Sequence, residues 1–144
     1  MRTVLSTTRA TQLAISLVNQ PGKLAHICRA LAAVEVNIHA LTVMETWGES
    51  SVVRIVVSDP GLAVKALRAV DVSALETEVL MIETDNKPGA LAAVAEGLAA
   101  ANINIEYAYL SAGAKAEISC MIVRPSDIDK AEHVLSQPSE GEAD

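Results

Sequence analysis

Two short turns of the sequence combine residue types that can hold a small charged ligand. The first reads Asn19-Gln20-Pro21-Gly22 and the second Asn86-Lys87-Pro88-Gly89, and each is followed by a run rich in alanine and leucine. Proline fixes φ and glycine lacks a Cβ, so a ligand can approach the backbone closely. A helix that starts there presents unpaired N–H groups and the positive end of its dipole, which suit a carboxylate. The asparagine side chain offers both a donor and an acceptor.

The two turns belong to a longer internal repeat with an offset of 67 positions. At that offset Leu31-Ala32-Ala33 matches Leu98-Ala99-Ala100, and Val36-Asn37-Ile38 matches Ile103-Asn104-Ile105. Ten of the 22 residue pairs that start at positions 19 and 86 are identical, which is far above chance. The chain therefore contains a duplicated unit, and each copy must build the same fold around its turn.

Each copy carries the same order of hydrophobic patterns: a strand, a helix, two strands and a second helix. Asp59 and Pro60 suit the N-cap and first turn of the second helix in the first copy. The expected elements of the first copy are strands at 12–18, 37–45 and 52–57 and helices at 24–34 and 61–70. Those of the second copy are strands at 78–84, 104–110 and 116–123 and helices at 91–101 and 126–135.

A split β-α-β unit needs one further strand after its second helix. Residues 72–75 can supply it for the first copy, whereas the second copy continues into an acidic stretch. The N-terminal stretch 3–7 has strand character, so we expect it to pair where the missing strand would lie. The expected organisation is an N-terminal extension, two units and a disordered acidic tail, with bounds 1–10, 11–75, 76–135 and 136–144.

Composition and motif content exclude several functions. The net charge is −7, aromatic residues make up 2%, and lysine and arginine do not cluster, which argues against a nucleic-acid partner. The apolar runs are too short for a signal peptide or a membrane span, so we expect a soluble, cytoplasmic protein. Since the sequence shows no nucleophile with a base, no phosphate-binding glycine loop and no metal-ligand cluster, we expect no catalysis, metal or cofactor.

Three features occur in order in each copy: a strand that ends in Asn-x-Pro-Gly, a helix that begins with Leu-Ala, and a strand that begins with Val/Ile-Asn-Ile. In this order they resemble the ACT domain, the small-molecule-sensing module of amino-acid metabolism. Both copies carry this pattern, over about residues 11–135. The resemblance implies an α+β fold with two ferredoxin-like βαββαβ units in tandem. These would form an extended antiparallel sheet with helices on one face. It also implies an amino acid bound at the seam between units, a homodimer and a metabolic enzyme as partner.

The resemblance also suggests which residues bind the ligand. In serine-sensing dehydrogenases with this domain, the asparagine of the second-strand motif reaches into the neighbouring site, a position matched here by Asn37 and Asn104. Those sensors carry histidine where this chain has Leu17 and Thr84, so their serine specificity does not transfer. Because Thr84 is polar, we expect the second copy to be the better site. The candidate ligand-binding residues are Asn19, Gln20, Pro21, Gly22, Lys23, Leu24, Asn37, Ile38, Asn86, Lys87, Pro88, Gly89, Ala90, Leu91, Asn104, Ile105 and Glu106.

Two interpretations of these residues remain open. Asparagine, proline and glycine are common in turns, so the two motifs could serve the backbone alone. Asn37 and Asn104 could equally be residues that turn the chain from helix to strand. We therefore expect a non-catalytic regulatory protein that binds a small amino acid. The alternative is a ligand-free interaction subunit of a metabolic enzyme, such as one of branched-chain amino-acid synthesis.

Overall fold

The part of the chain that the computed structural model describes, residues 3–136, divides into two units. Repeat 1 is formed by residues 11–77, and the described part of repeat 2 by residues 3–10 together with residues 78–136. The elements are β1 (Val4–Val18), α1 (Lys23–Ala33), β2 (Ile38–Glu45), β3 (Ser50–Val57), α2 (Pro60–Arg68), β4 (Leu75–Asp85), α3 (Ala90–Ala100), β5 (Ile105–Ser111), β6 (Ile118–Pro125) and α4 (Ile128–Ser136).

In repeat 1 the strands run in the order β2-β3-β1, and both pairings are antiparallel. Side chains alternate between the two faces of a strand, so Leu13 and Ile15 of β1 lie on one face. The helices α1 and α2 cover that face, because their buried residues join the same apolar cluster as those of β1 and β3. The cluster consists of Leu13, Ile15, Ile27, Leu31, Val36, Val53, Ile55, Val57, Ala63 and Leu67.

In repeat 2 the strands run in the order β1-β4-β6-β5, and β1 is represented by residues 4–10. Thr3 accepts a backbone hydrogen bond from Asp85 at 3.4 Å, and Arg9 lies 3.5 Å from the Glu78 carboxylate. Because residue numbers fall along β4 as they rise along β1, the two segments are antiparallel. The N-terminal segment thus lies where the fourth strand of a ferredoxin-like unit is needed. The buried cluster consists of Leu80, Ile82, Val94, Leu98, Ile103, Met121, Val123, Ala131 and Leu135.

Arg9 ties this N-terminal segment to the rest of repeat 2. Its Nε donates to Glu132 of α4 at 3.1 Å, and a second guanidinium nitrogen bonds Asp129 on the same helix. These hydrogen bonds and the two negative charges hold the pKa of Arg9 above its usual value. The guanidinium therefore links strand and helix in repeat 2.

The structure differs from the sequence-based expectation at residues 72–75. The N–H groups of Val70 and Val72 both donate back to Leu67, and Asp71 between them has φ 60°. The left-handed conformation of Asp71 ends α2, and the residues that follow it belong to the turn. The next strand therefore starts only at Leu75. From there β4 runs unbroken to Asp85, and β1 likewise joins the predicted stretches 3–7 and 12–18 into one strand.

The fold class is confirmed, because strand-helix-strand-strand-helix occurs twice and each repeat has its helices on one sheet face. The predicted acidic tail falls largely on residues 137–144, which lie outside the described part of the chain. No helix within residues 3–136 is long and apolar enough to cross a membrane. The same residues contain no group of three or more His, Cys, Asp or Glu side chains placed to hold a metal ion.

Candidate functional site

The two Asn-x-Pro-Gly turns adopt the same backbone conformation. Gly22 caps α1 with φ 90° and ψ −13°, and Gly89 caps α3 with φ 90° and ψ −14°. A Cβ built on either glycine meets nothing within 4 Å, so both turns open onto free space. Glycine is required here by the positive φ and not by close packing.

The helices that follow these turns leave backbone donors unpaired. Neither Gly22 nor Gly89 supplies a side-chain cap. At α3 the N–H groups of Ala90 and Ala93 donate to Lys87 and Gly89, whereas those of Leu91 and Ala92 have no acceptor among residues 3–136. Such N–H groups at a helix start bind anions, so the first turn of α3 can hold a carboxylate.

A cavity of about 80 Å³ adjoins this first turn in repeat 2. The end of β4, the turn and α3 form one side, and β5 and β6 form the other. Four of the candidate residues line it, namely Asn86, Lys87, Ala90 and Leu91. Its remaining lining residues are Thr84, Asp85, Val94, Leu110, Ser119 and Met121.

Two hydroxyl groups form a buried polar pair in this cavity. Thr84 Oγ1 and Ser119 Oγ lie 2.9 Å apart on neighbouring strands, and each residue is 4% exposed. One hydroxyl donates to the other, which leaves one O–H free to donate to a ligand. In repeat 1 the position that matches Thr84 is Leu17, so the pair is specific to repeat 2.

Asn86 has a positioning contact that its turn motif does not reveal. Its Nδ2 donates to the carbonyl oxygens of Ala116 at 2.8 Å and Gly113 at 3.3 Å, in the loop between β5 and β6. Its backbone N–H donates to Glu117 at 2.9 Å. Both amide hydrogens are therefore used within the protein, and Oδ1 is the side-chain atom that can face a ligand.

Two opposite charges lie beside each other at the cavity. Lys87 Nζ is 3.5 Å from the Asp85 carboxylate, and both side chains are about one-third exposed. An exposed pair of this kind contributes little to stability, so a ligand can replace either partner at small cost. A zwitterion matches both charges at once.

The strand-opening asparagines do not reach this cavity within their own repeat. The N–H of Asn104 donates to Ser126 Oγ at 3.0 Å, and that of Asn37 donates to Ser58 Oγ at 2.9 Å. Asn104 precedes β5, whereas the cavity touches Leu110 near the other end of that strand, about 20 Å away at 3.3 Å per residue. Ile105 packs against the core of repeat 2, and Glu106 lies 3.9 Å from Arg124.

The candidates of repeat 1 are less concentrated. Of its residues, Lys23 lines a cleft, but that cleft lies against the loop after α2 and not beside β2. Ile38 packs against the apolar core of repeat 1. Repeat 2 is therefore the copy in which the candidate residues of the turn converge on one cavity.

Five residues that line this cavity were not predicted from the sequence: Asp85, Val94, Leu110, Ser119 and Met121. A signal for Ser119 is present, because Ser119, Met121 and Val123 alternate along β6 and share the face that the helices cover. A serine on an otherwise apolar inward face needs a polar partner. The pairing of Ser119 with Thr84 depends on strand register, which the sequence leaves open.

Comparison with known proteins places this architecture in a family. The family model described as an ACT domain pair matches residues 8–139. A solved structure from Bacteroides thetaiotaomicron, the protein BT0572, is 36% identical, with 90% of this chain and 88% of that chain covered and a TM-score of 0.82. No curated protein matches the chain.

Two further structures share the fold at low identity. The ligand-free regulatory subunit of aspartate kinase from Thermus thermophilus is 15% identical, with 97% of this chain and 100% of that chain covered and a TM-score of 0.70. The corresponding subunit from Thermus flavus is 18% identical, with 92% and 94% covered and a TM-score of 0.63. The family match covers nearly the whole chain and agrees with the two-unit fold, so this chain belongs to the ACT domain pair family.

Proposed function

We propose that repeat 2 binds a small free amino acid in the cavity at the Asn86–Gly89 turn, and that the chain is a non-catalytic regulator of amino-acid metabolism. The observation that carries the proposal is one cavity that brings together three features. They are the unpaired N–H groups at the start of α3, beside Leu91, the charge pair of Lys87 and Asp85, and the buried hydroxyls of Thr84 and Ser119. An amino acid carries a group for each of these three features.

The binding mode follows from the chemistry of the lining. The ligand carboxylate accepts from the N–H groups of Leu91 and Ala92 and is attracted by Lys87. Its ammonium group faces the carboxylate of Asp85 and Oδ1 of Asn86. The side chain points towards Thr84 and Ser119. Because about 80 Å³ is room for only a few water-sized groups, that side chain must be short.

Regulation requires that the ligand favour one state of the protein over another. A ligand shifts an equilibrium only by its difference in affinity for the two states. We propose a homodimer in which Asn104 of a second copy completes the site, since Asn104 lies too far from the cavity of its own repeat. The two Thermus structures are described as regulatory subunits of aspartate kinase, which supports an enzyme of amino-acid metabolism as partner. We propose the cytoplasm as the location of the chain.

A thermal-shift panel of the twenty amino acids, with Thr84→Leu as the variant, tests the proposal. A ligand at 100 times its dissociation constant adds about 2.7 kcal/mol, which raises the Tm by several degrees. We expect one or two small amino acids to do this in the wild type and to lose the effect in Thr84→Leu. Ser51→Ala in repeat 1 removes the buried hydroxyl opposite Leu17, so it is the matched control and should leave the response intact. A full response in Thr84→Leu would place the ligand elsewhere.

Exposed apolar residues favour a second candidate, a ligand-free interaction subunit. Along β2 the side chains of Leu41, Val43 and Met44 are 40–47% exposed, and Trp47 in the following hairpin is fully exposed. Apolar and aromatic side chains of this kind are typical of protein interfaces. A flat panel for all twenty amino acids, with a folded protein, would favour this candidate over the sensor.

A further inference from the structure

Repeat 1 contains a cleft that the Asn-x-Pro-Gly motif does not account for. It lies between the end of β1, the first two turns of α1 and the loop that follows α2, and its volume is about 510 Å³. Pockets for small molecules have volumes of about 300–1,000 Å³. The residues that line it are Ser16, Leu17, Val18, Lys23, His26, Ile27, Val70, Asp71, Val72 and Ser73.

Two nitrogen-bearing side chains from one face of α1 line this cleft. Lys23 and His26 are three positions apart, so they lie on the same side of the helix. Neither side chain has an ion pair or a hydrogen bond within residues 3–136. A lysine ammonium has three donors and an imidazole has at least one, so together they can hold a carboxylate.

The opposite wall is a fixed loop with an apolar surface. Val70 and Val72 donate backbone hydrogen bonds to Leu67, and Asp71 donates to Arg68. Leu17 and Val72 pack against the core of repeat 1, and Ile27 is buried in it. The cleft is thus preformed, with donors on the helix, hydrocarbon along its floor and the Asp71 carboxylate on the loop.

The matching positions of repeat 2 carry none of this polarity. At the offset of 67, Ala90 stands in place of Lys23 and Ala93 in place of His26. Both helices start from the same glycine conformation and have 11 residues, so the two donors are not needed to form the helix. The formation of α1 therefore does not explain why lysine and histidine occupy positions 23 and 26.

We propose that this cleft is a second ligand site, which takes a small organic acid with an apolar chain. The carboxylate of the ligand lies between Lys23 and His26, and its hydrocarbon part lies on Leu17 and Val72. The acid is an amino acid or a 2-oxo acid, which share the carboxylate and differ in the group that would face Asp71. This site does not depend on the amino-acid site proposed for repeat 2.

Amide NMR titration of the full chain with 4-methyl-2-oxopentanoate and, separately, with L-leucine tests the proposal. We expect saturable shifts at residues 23–27 and 70–73 with at least one acid. In the double variant K23A/H26A the dissociation constant should rise about tenfold or more, because two donors to a charged group are lost. That variant carries the residues of repeat 2 at the matching positions, so α1 should still form.

Three controls make the outcome decisive. Lys65→Ala removes an exposed lysine on α2 and should leave binding unchanged. If the amino group is recognised, Asp71→Asn should weaken the binding of L-leucine and leave that of the 2-oxo acid unchanged. If the ligand is a 2-oxo acid, Asp71→Asn should weaken the binding of neither acid. The proposal is overturned if neither acid gives saturable shifts at these residues, or if K23A/H26A binds as tightly as the wild type. Thr84→Leu should not affect binding to this cleft. A failure of the present proposal can therefore be distinguished from a failure of the site proposed for repeat 2.

Discussion

The two repeats start their first helix in the same way and yet enclose different spaces. Gly22 and Gly89 differ by 1° in ψ, and α1 and α3 have the same length. In repeat 2 the cavity faces β5 and β6 and contains a hydroxyl pair, whereas in repeat 1 the cleft faces the loop after α2 and contains Lys23 and His26. The duplicated turn determines the backbone, and the side chains around it determine which flank of the helix borders a cavity.

One position illustrates how little sequence change this requires. Thr84 bonds Ser119 in repeat 2, whereas Leu17 at the matching position faces Ser51 across the strand pair and packs against the apolar core. Leucine fills with hydrocarbon the place where threonine offers a hydroxyl. Duplication has thus kept the scaffold while the chemistry of the two copies has separated.

The largest expected difference between the repeats concerns the N-terminal strand. Deletion of residues 1–8 removes most of the segment that pairs with β4 in repeat 2, including Val4, which packs against its core. We expect a loss of about 2–5 kcal/mol, comparable to truncation of a buried core side chain. Urea denaturation measures the loss, and hydrogen exchange locates it.

After the N-terminal deletion, amide hydrogen exchange should increase first in repeat 2. Arg9→Ala, which keeps the strand but removes its ion pairs with α4, is the milder control and should change the same amides less. An unchanged Tm after the deletion would show that the segment does not stabilise repeat 2.

The turn glycines should respond alike, because they share one conformation. Gly22→Val and Gly89→Val each place a β-branched residue at φ 90°, which costs about 2 kcal/mol in backbone strain. The Cβ itself meets nothing, so packing adds no further difference between them. Chemical denaturation of both variants measures the costs. Gly→Asn at each position is the control and should cost less, since asparagine tolerates this region. A clearly larger loss in one repeat would mean that its turn has contacts beyond the backbone.

The hydroxyl pair should give a smaller effect that is confined to repeat 2. In a double-mutant cycle with Thr84→Val and Ser119→Ala, we expect a coupling of about 1 kcal/mol, typical of a buried neutral hydrogen bond. Each single variant leaves one buried hydroxyl without its partner, so the double variant should lose less than the sum. The matched pair Leu17→Val and Ser51→Ala in repeat 1 should show no such coupling.

Much of this comparison could be read from the sequence, because the repeat is local and strong. Identical residues at one offset gave the turns, the helices and the element order, and the polarity of Thr84 marked repeat 2 as the better candidate. Strand continuity could not be predicted in the same way. Residues 4–10 pair with a strand about 75 positions later, and nothing in their own pattern identifies that partner.

The lining of the candidate cavity in repeat 2 could be predicted in part for the same reason. The turn and the start of the helix are contiguous in sequence, and they do adjoin the cavity. Ser119 and the carbonyl groups that hold Asn86 come from a hairpin whose register the sequence does not determine. Asn104 was placed at the site by family resemblance, and its distance from the cavity of its own repeat leaves that role as a prediction about a second copy.

The smallest change that separates the repeats lies within the turn itself. Lys87 of repeat 2 corresponds to Gln20 of repeat 1, so Lys87→Gln makes the two turns identical. The lysine's bridge to Asp85 is exposed, and its loss should cost less than about 1 kcal/mol of stability. Affinity for the amino acid should fall about tenfold, because a cation that faces the ligand carboxylate is lost. Calorimetric titration of Lys87→Gln and of the reciprocal Gln20→Lys measures this. If Lys87→Gln binds as tightly as the wild type, the N–H groups of α3 alone hold the carboxylate, and the difference between the repeats lies in their strands.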